Sequence, residues 1–119
     1  MPIFRTGPGR LGVVETHHLF QAATAVLLDV RETEEWDAGH IPGAQHLPLS
    51  RLLAGGEVPG APAGSRLVLI CRSGQRSQHA ARLLCERGMD AVDVTGGMKA
   101  WVRQGLPIQD TAGAAGTVI

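Results

Sequence analysis

The chain has 119 residues, 44% hydrophobic and 18% charged, which is the make-up of one globular domain and argues against disorder or a second core. Its 11 basic and 11 acidic residues cancel, and no like-charge cluster exceeds the acidic one at Glu32, Glu34 and Glu35, so neither nucleic acid nor a membrane surface is implied as a partner. No apolar stretch approaches the ~20 residues that span a bilayer, and the opening MPIFRTGPGRLG lacks the apolar core of a signal peptide, so a cytoplasmic location is expected.

In chain order, residues 1–10 read as a loose lead-in, GVVE at 12–15 as a short strand, and Thr16 as the N-cap of a brief helix through HHLFQAA. AVLLDVR, from Ala25, is apolar without alternation, as in a parallel strand covered on both faces. ETEEWDAGHIPGA offers a short acidic helix stopped by Gly39 and a turn at Pro42 and Gly43, and AQHLPL a short strand. LLAGGEVPGAPAGS is Gly/Pro-rich and reads as loop. RLVLIC is the expected central strand, ending at Cys71.

From Gln75 to Arg87 the period becomes helical, with Ala80, Ala81, Leu83 and Leu84 on one face, Gln75, His79, Arg82 and Glu86 on the other, and Gly88 as the stop. AVDV at 91–94 is a strand, GGMKAWVRQG a turn and short helix ended by Gly105, and residues 109–119 a tail expected to fray. Strands alternating with helices, two of them continuously apolar, specify an α/β fold with a mainly parallel sheet.

In such sheets ligands bind beyond the carboxyl ends of the strands, where Cys71 falls. The loop RSGQRS follows, and Gly74 is free to take a positive φ, so that successive backbone N–H groups turn inward as an anion-binding nest ahead of a helix N-terminus. Such surroundings favour a thiolate, and Arg72 and Arg76 can offer charge-assisted hydrogen bonds to an anionic substrate. Cys71 is therefore a candidate nucleophile, in preference to a thiol that merely ends a buried strand. Cys85, well along the helix, reads as core-edge packing too far away for a bridge to Cys71. The five histidines show no ligand spacing with the cysteines, and neither a metal nor a cofactor is implied.

LLDVRETEEWDAGHIPGA, CRSGQRS, RLLCERGMDAVDVTGG and GGMKAW together resemble the single-domain rhodaneses, over about residues 10 to 108. The resemblance implies a rhodanese-like three-layer domain over 11–108, with a mainly parallel five-stranded sheet flanked by helices. It implies a sulfurtransferase in which Cys71 carries a persulfide. The donor would be thiosulfate or another small anion. The acceptor would be cyanide, a small thiol or a protein. Arg72, Ser73, Gly74, Gln75, Arg76 and Ser77 become substrate-binding residues, with Asp29 and Arg31 in support. Two alternatives are a noncatalytic sulfur-carrier or regulatory module, which typically loses the loop cysteine retained here, and a cysteine-based phosphatase. Phosphatase relatives place five residues between the cysteine and the arginine, whereas Cys71 and Arg76 are separated by four, and the loop holds no carboxylic acid to protonate a leaving alcohol.

Asp29 and Arg31 match the family's DVR; either they organise the site rim or, the reading favoured here, they form a structural ion pair with Glu32 or Glu35. His40 is expected to be structural, His79 solvated, Trp101 packed in the core, and Gly96 and Gly97 a permissive turn without the GxGxxG spacing of a phosphate loop.

Overall fold

Two apolar runs, VLLD and RLVLI, form the middle of the sheet, and their side chains alternate between two cores. In a computed structural model that describes residues 9–62 and 64–119, the chain runs β1 (Arg10–Leu11), α1 (Val13–Gln21), β2 (Val26–Asp29), α2 (Thr33–Ala38), β3 (Gln45–His46), α3 (Leu49–Leu53), β4 (Arg66–Ile70), α4 (Gln75–Glu86), β5 (Asp90–Val94) and α5 (Gly97–Arg103). The strands are ordered β1-β5-β4-β2-β3 and every pairing is parallel. Leu67, Leu69 and Cys71 join Leu28, Ala80, Ala81 and Leu84 in the core beneath α3 and α4. Val68 and Ile70 join Val92, Val94, Met98 and Trp101 in the core beneath α1 and α5. The result is the expected three-layer α/β domain around a five-stranded sheet.

Three local expectations are corrected. The strand expected at 12–15 is β1, at Arg10–Leu11, and Val13 to Glu15 already belong to α1. In α1 Val13 packs into the core on the α5 side, and Val14 is 46% exposed. Thr16 is accordingly inside the helix, where its hydroxyl donates to the Gly12 carbonyl at 2.9 Å, and Gly12 is the N-cap. Second, Leu52 and Leu53, read as loop, end α3, whose Leu52 is fully buried.

Third, the tail expected to fray is bonded to the domain. His40 and Gln109 exchange backbone hydrogen bonds at 2.8 Å, Thr117 N–H donates to Ala38 O at 2.9 Å, and Val118 packs against the core beneath α5. Most of the lead-in, residues 1–8, lies outside the described residues. Among the described residues, no helix is long and apolar enough to cross a membrane.

Candidate active site

β4 stops at Ile70, and the next residue, Cys71, keeps the strand's alternation, so its side chain faces the α4 core and is 1% exposed. The chain then turns through Gly74, whose φ of 109° suits glycine and which caps α4. The turn brings the Gly74 N–H onto Cys71 Sγ at 3.0 Å. The outer side of the loop is held by the first turn of α5, where Met98 N–H donates to Cys71 O at 2.8 Å and Lys99 N–H to Arg72 O at 3.0 Å. A Cβ on Gly97, at φ 56°, would overlap the Cys71 carbonyl oxygen, so glycine is required for this close approach. Met98 and Trp101, both fully buried, seat α5 in place, each by roughly 2 kcal/mol of apolar burial. Trp101 is a core residue, its indole N–H donating to Pro107 O at 3.0 Å.

The loop draws Cys71, Gly74 and Ser77 together and turns Arg72, Ser73 and Gln75 outward. Ser77 Oγ lies 3.4 Å from Cys71 Sγ and donates to Asp93 Oδ2 at 2.9 Å. Both arginines expected to be free for an anion have partners in the fold. Arg72 Nε donates to Ile119 O at 2.9 Å, and Arg76 makes a bidentate pair with Glu35 of α2 at 2.6 and 2.8 Å. The hydrogen bonds from Arg76 hold the Glu35 carboxyl below its usual 4.5, aided by the Glu32 N–H and opposed by burial. The same pairing raises Arg76, against burial.

Asp29 and Arg31 form an ion pair, but with each other rather than with Glu32 or Glu35. Arg31 Nε and Nη2 donate to the Asp29 carboxylate at 2.7 to 3.1 Å, the Arg31 backbone N–H adds a bond at 3.0 Å, and Nη2 also reaches Gly39 O at 2.7 Å. Both side chains are buried, so the pair ties the end of β2 to the end of α2, the helix that carries Glu35. His40 is structural as expected. Its Nδ1 lies 2.8 Å from Trp36 O, and its ring stacks on Trp36 at 3.8 Å. His79 is exposed. Cys85 is exposed, and its thiol donates to the carbonyl of Ala91, a residue of the α4 core, at 3.3 Å.

The sequence model of the rhodanese-like domain matches residues 13–104, well over half of the chain. This chain belongs to the rhodanese-like domain family. It is 40% identical over 82 residues to the probable adenylyltransferase/sulfurtransferase MoeZ of Mycobacterium tuberculosis, covering 68% of this chain and 21% of that protein. The chain therefore spans about a fifth of that relative. It is 39% identical over 85 residues to the putative sulfurtransferase YtwF of Bacillus subtilis, covering 68% of this chain and 77% of that one. The crystal structure of a rhodanese-related protein from Thermoplasma volcanium superposes with a TM-score of 0.73 at 26% identity, over 84% of this chain and 96% of that one.

Two residues of this rhodanese-like domain that shape the site went unassigned from sequence, Asp93 and Arg10, and Glu35 was expected in a different ion pair from the one it makes with Arg76. A signal existed for Asp93, an acid set between Val92 and Val94 in the buried part of a strand whose other acid, Asp90, is at its exposed start. Alternation sends those valines to the α5 core and Asp93 to the side of Cys71 and Ser77. Arg10 sits directly opposite Asp93 in the β1–β5 register and pairs with it at 2.9 Å.

Proposed function

We propose that this domain is a sulfurtransferase in which Cys71 is the nucleophile and carries the transferred sulfur as a persulfide. The observation that carries the reading is a thiol at the carboxyl end of the central strand, bonded by the Gly74 N–H and enclosed by a loop that α5 holds from outside. In the first half-reaction the Cys71 thiolate attacks the outer sulfur of a small anionic donor, with thiosulfate as the reference case. A Cys71–sulfur bond forms, the donor's sulfur–sulfur bond breaks, and sulfite leaves with the electron pair. In the second, cyanide, a small thiol or a thiol of a partner protein attacks the outer sulfur, and the Cys71 thiolate leaves.

The loop N–H groups and the positive end of α4 suit both the donor anion and the persulfide anion. Arg76 uses two N–H groups on Glu35 and keeps others for a donor oxygen. Arg72, Ser73 and Gln75, turned outward, are placed to meet a donor or a protein acceptor. The relatives named as sulfurtransferases support the same reading.

The test is intact mass after incubation with thiosulfate and then with cyanide. A gain of one sulfur that requires Cys71, survives Cys85→Ser and disappears with cyanide is expected. Equal loss of loading in Cys71→Ser and Cys85→Ser would overturn the single-nucleophile mechanism.

A further inference from the structure

Sulfur transfer at Cys71 leaves one buried charge without a task. Asp93 is 2% exposed, on the same side of the sheet as the thiol. Arg10 holds it from one side, Nε to Oδ1 at 2.9 Å and Nη2 to Oδ2 at 3.2 Å. From the other side Ser77 Oγ donates to Oδ2 at 2.9 Å, and that same oxygen is 3.4 Å from Cys71 Sγ.

A hydroxyl has one proton to donate, and an ionised carboxylate can only accept. With its proton on Asp93, Ser77 shows the sulfur a lone pair. That lone pair accepts the thiol's S–H but offers nothing to an ionised sulfur, which among the described residues then keeps the hydrogen bond from the Gly74 N–H alone. Once Cys71 is ionised, the Ser77 proton has two claimants. Asp93 can release it because Arg10 still provides two N–H groups to the carboxylate, so rotation of the hydroxyl leaves no buried anion unpaired.

We infer that Asp93, held by Arg10, is a positioning residue that sets the direction of the Ser77 hydroxyl and through it the proton affinity of the Cys71 sulfur. The hydroxyl donates to Asp93 while Cys71 is a thiol and turns to the sulfur when Cys71 is ionised. The role in turnover rests on the sulfurtransferase reading, but the proton balance does not.

Other charged groups also surround the sulfur. Arg72 lies in the loop, Arg76 is on α4 with Glu35 of α2 bonded to it, the Asp29–Arg31 pair follows β2, and Lys99 is exposed on α5. Among the described residues, Asp93 is the one bonded to the hydroxyl that touches Sγ.

The test is the pH profile of Cys71 alkylation by iodoacetamide, followed by intact mass in a Cys85→Ser background, with thermal melts to check folding. In Asp93→Asn, Oδ1 stays on Arg10 and the amide N–H faces Ser77, which frees the hydroxyl for the sulfur. The midpoint is expected to fall by about one pH unit, roughly a tenfold gain in reactive thiolate below it. In a Ser77→Ala background the same change is expected to move the midpoint by less than about half as much. Arg10→Gln, at a 37% exposed side chain, is expected to shift it upward, because Asp93 then holds the Ser77 proton more tightly.

An unchanged midpoint in Asp93→Asn overturns the inference. An equal shift with and without Ser77 would mean that Asp93 acts by charge alone, and overturns the positioning role. If Asp93→Asn does not fold, Arg10→Gln decides by its sign, a downward or absent shift counting against the inference. Sulfur loading from thiosulfate is read separately. A domain that shows the shifts but gains no sulfur refutes the proposed function and leaves this inference standing.

Discussion

Glu35 of α2 closes on Arg76 of α4 with two hydrogen bonds, 2.6 and 2.8 Å, so the helix after β2 braces the loop that carries the thiol. The Glu35 carboxyl is held below its ordinary 4.5 in the folded protein, first by the bonds from Arg76. A depressed carboxyl contributes stability that is present above pH 4.5 and lost as the pH falls through the folded value. Glu35→Gln is therefore expected to lower stability at pH 7 by about 1–2 kcal/mol and to flatten the loss on acidification below about pH 4.5. Urea unfolding from neutral to acid pH measures both. An unchanged acid slope would mean that the pair forms no more in the folded state than in the unfolded one.

The Asp29–Arg31 pair has no water to fall back on, since both side chains are buried. Breaking it from one side leaves an uncompensated charge in the core. Asp29→Ala and Arg31→Ala are each expected to cost about 3–5 kcal/mol, above the cost of Arg10→Ala, which removes a 37% exposed side chain and leaves buried Asp93 the Ser77 hydroxyl as a donor. Comparable unfolding midpoints for Arg31→Ala and Arg10→Ala would contradict the burial argument.

Gly97 and Gly88 both have positive φ, 56° and 84°, yet they sit in different surroundings. A Cβ on Gly88 meets nothing within 4 Å, so Gly88→Ala carries only the left-handed penalty of about 1–2 kcal/mol. A Cβ on Gly97 strikes the Cys71 and Arg72 carbonyls and displaces the loop from α5. Gly97→Ala is expected to lose sulfur loading by more than about tenfold beyond what its unfolding midpoint explains, and Gly88→Ala to keep it. Loading that falls equally in the two variants would detach the α5 clamp from the chemistry.

The elements legible in the sequence were those whose signal is local. RLVLIC ends in a thiol, a polar glycine loop and a helical period follow, and the structure places β4, the turn at Gly74 and α4 within a residue of that reading. What escaped was set at long range or was too short for a period. α3 has five residues and one buried side chain, Leu52, less than a repeat needs to stand out among glycines and prolines. Val13 and Val14 favour a strand by β-branching, and that local preference is overridden in α1, where Val13 packs into the core on the α5 side of the sheet. Charges were visible but their partners were not: Arg76 meets Glu35 across 41 residues of chain, and Arg10 meets Asp93 across 83.

The tail's attachment rests on a main-chain contact that a single methyl group can break. Gly39 has φ 179°, an extended backbone open to any residue, so it is glycine for space and not for conformation. A Cβ there would overlap the Thr117 carbonyl oxygen and approach its nitrogen at 2.7 Å, the nitrogen that donates to Ala38 O. Gly39→Ala is expected to push residues 116–119 off the domain and to free Arg72 from Ile119 O. The core loses only the half-buried Val118, about 1 kcal/mol, so the domain stays folded while its last segment becomes a protease substrate. Limited proteolysis followed by mass spectrometry is expected to trim the variant beyond Gln109 faster than the parent, with the remainder resistant. With Arg72 released, the KM for an anionic donor is expected to fall a few-fold at unchanged kcat, because a guanidinium no longer shared with Ile119 O binds the donor better. Faster trimming without a change in KM would make the tail a structural strap that has no part in donor binding.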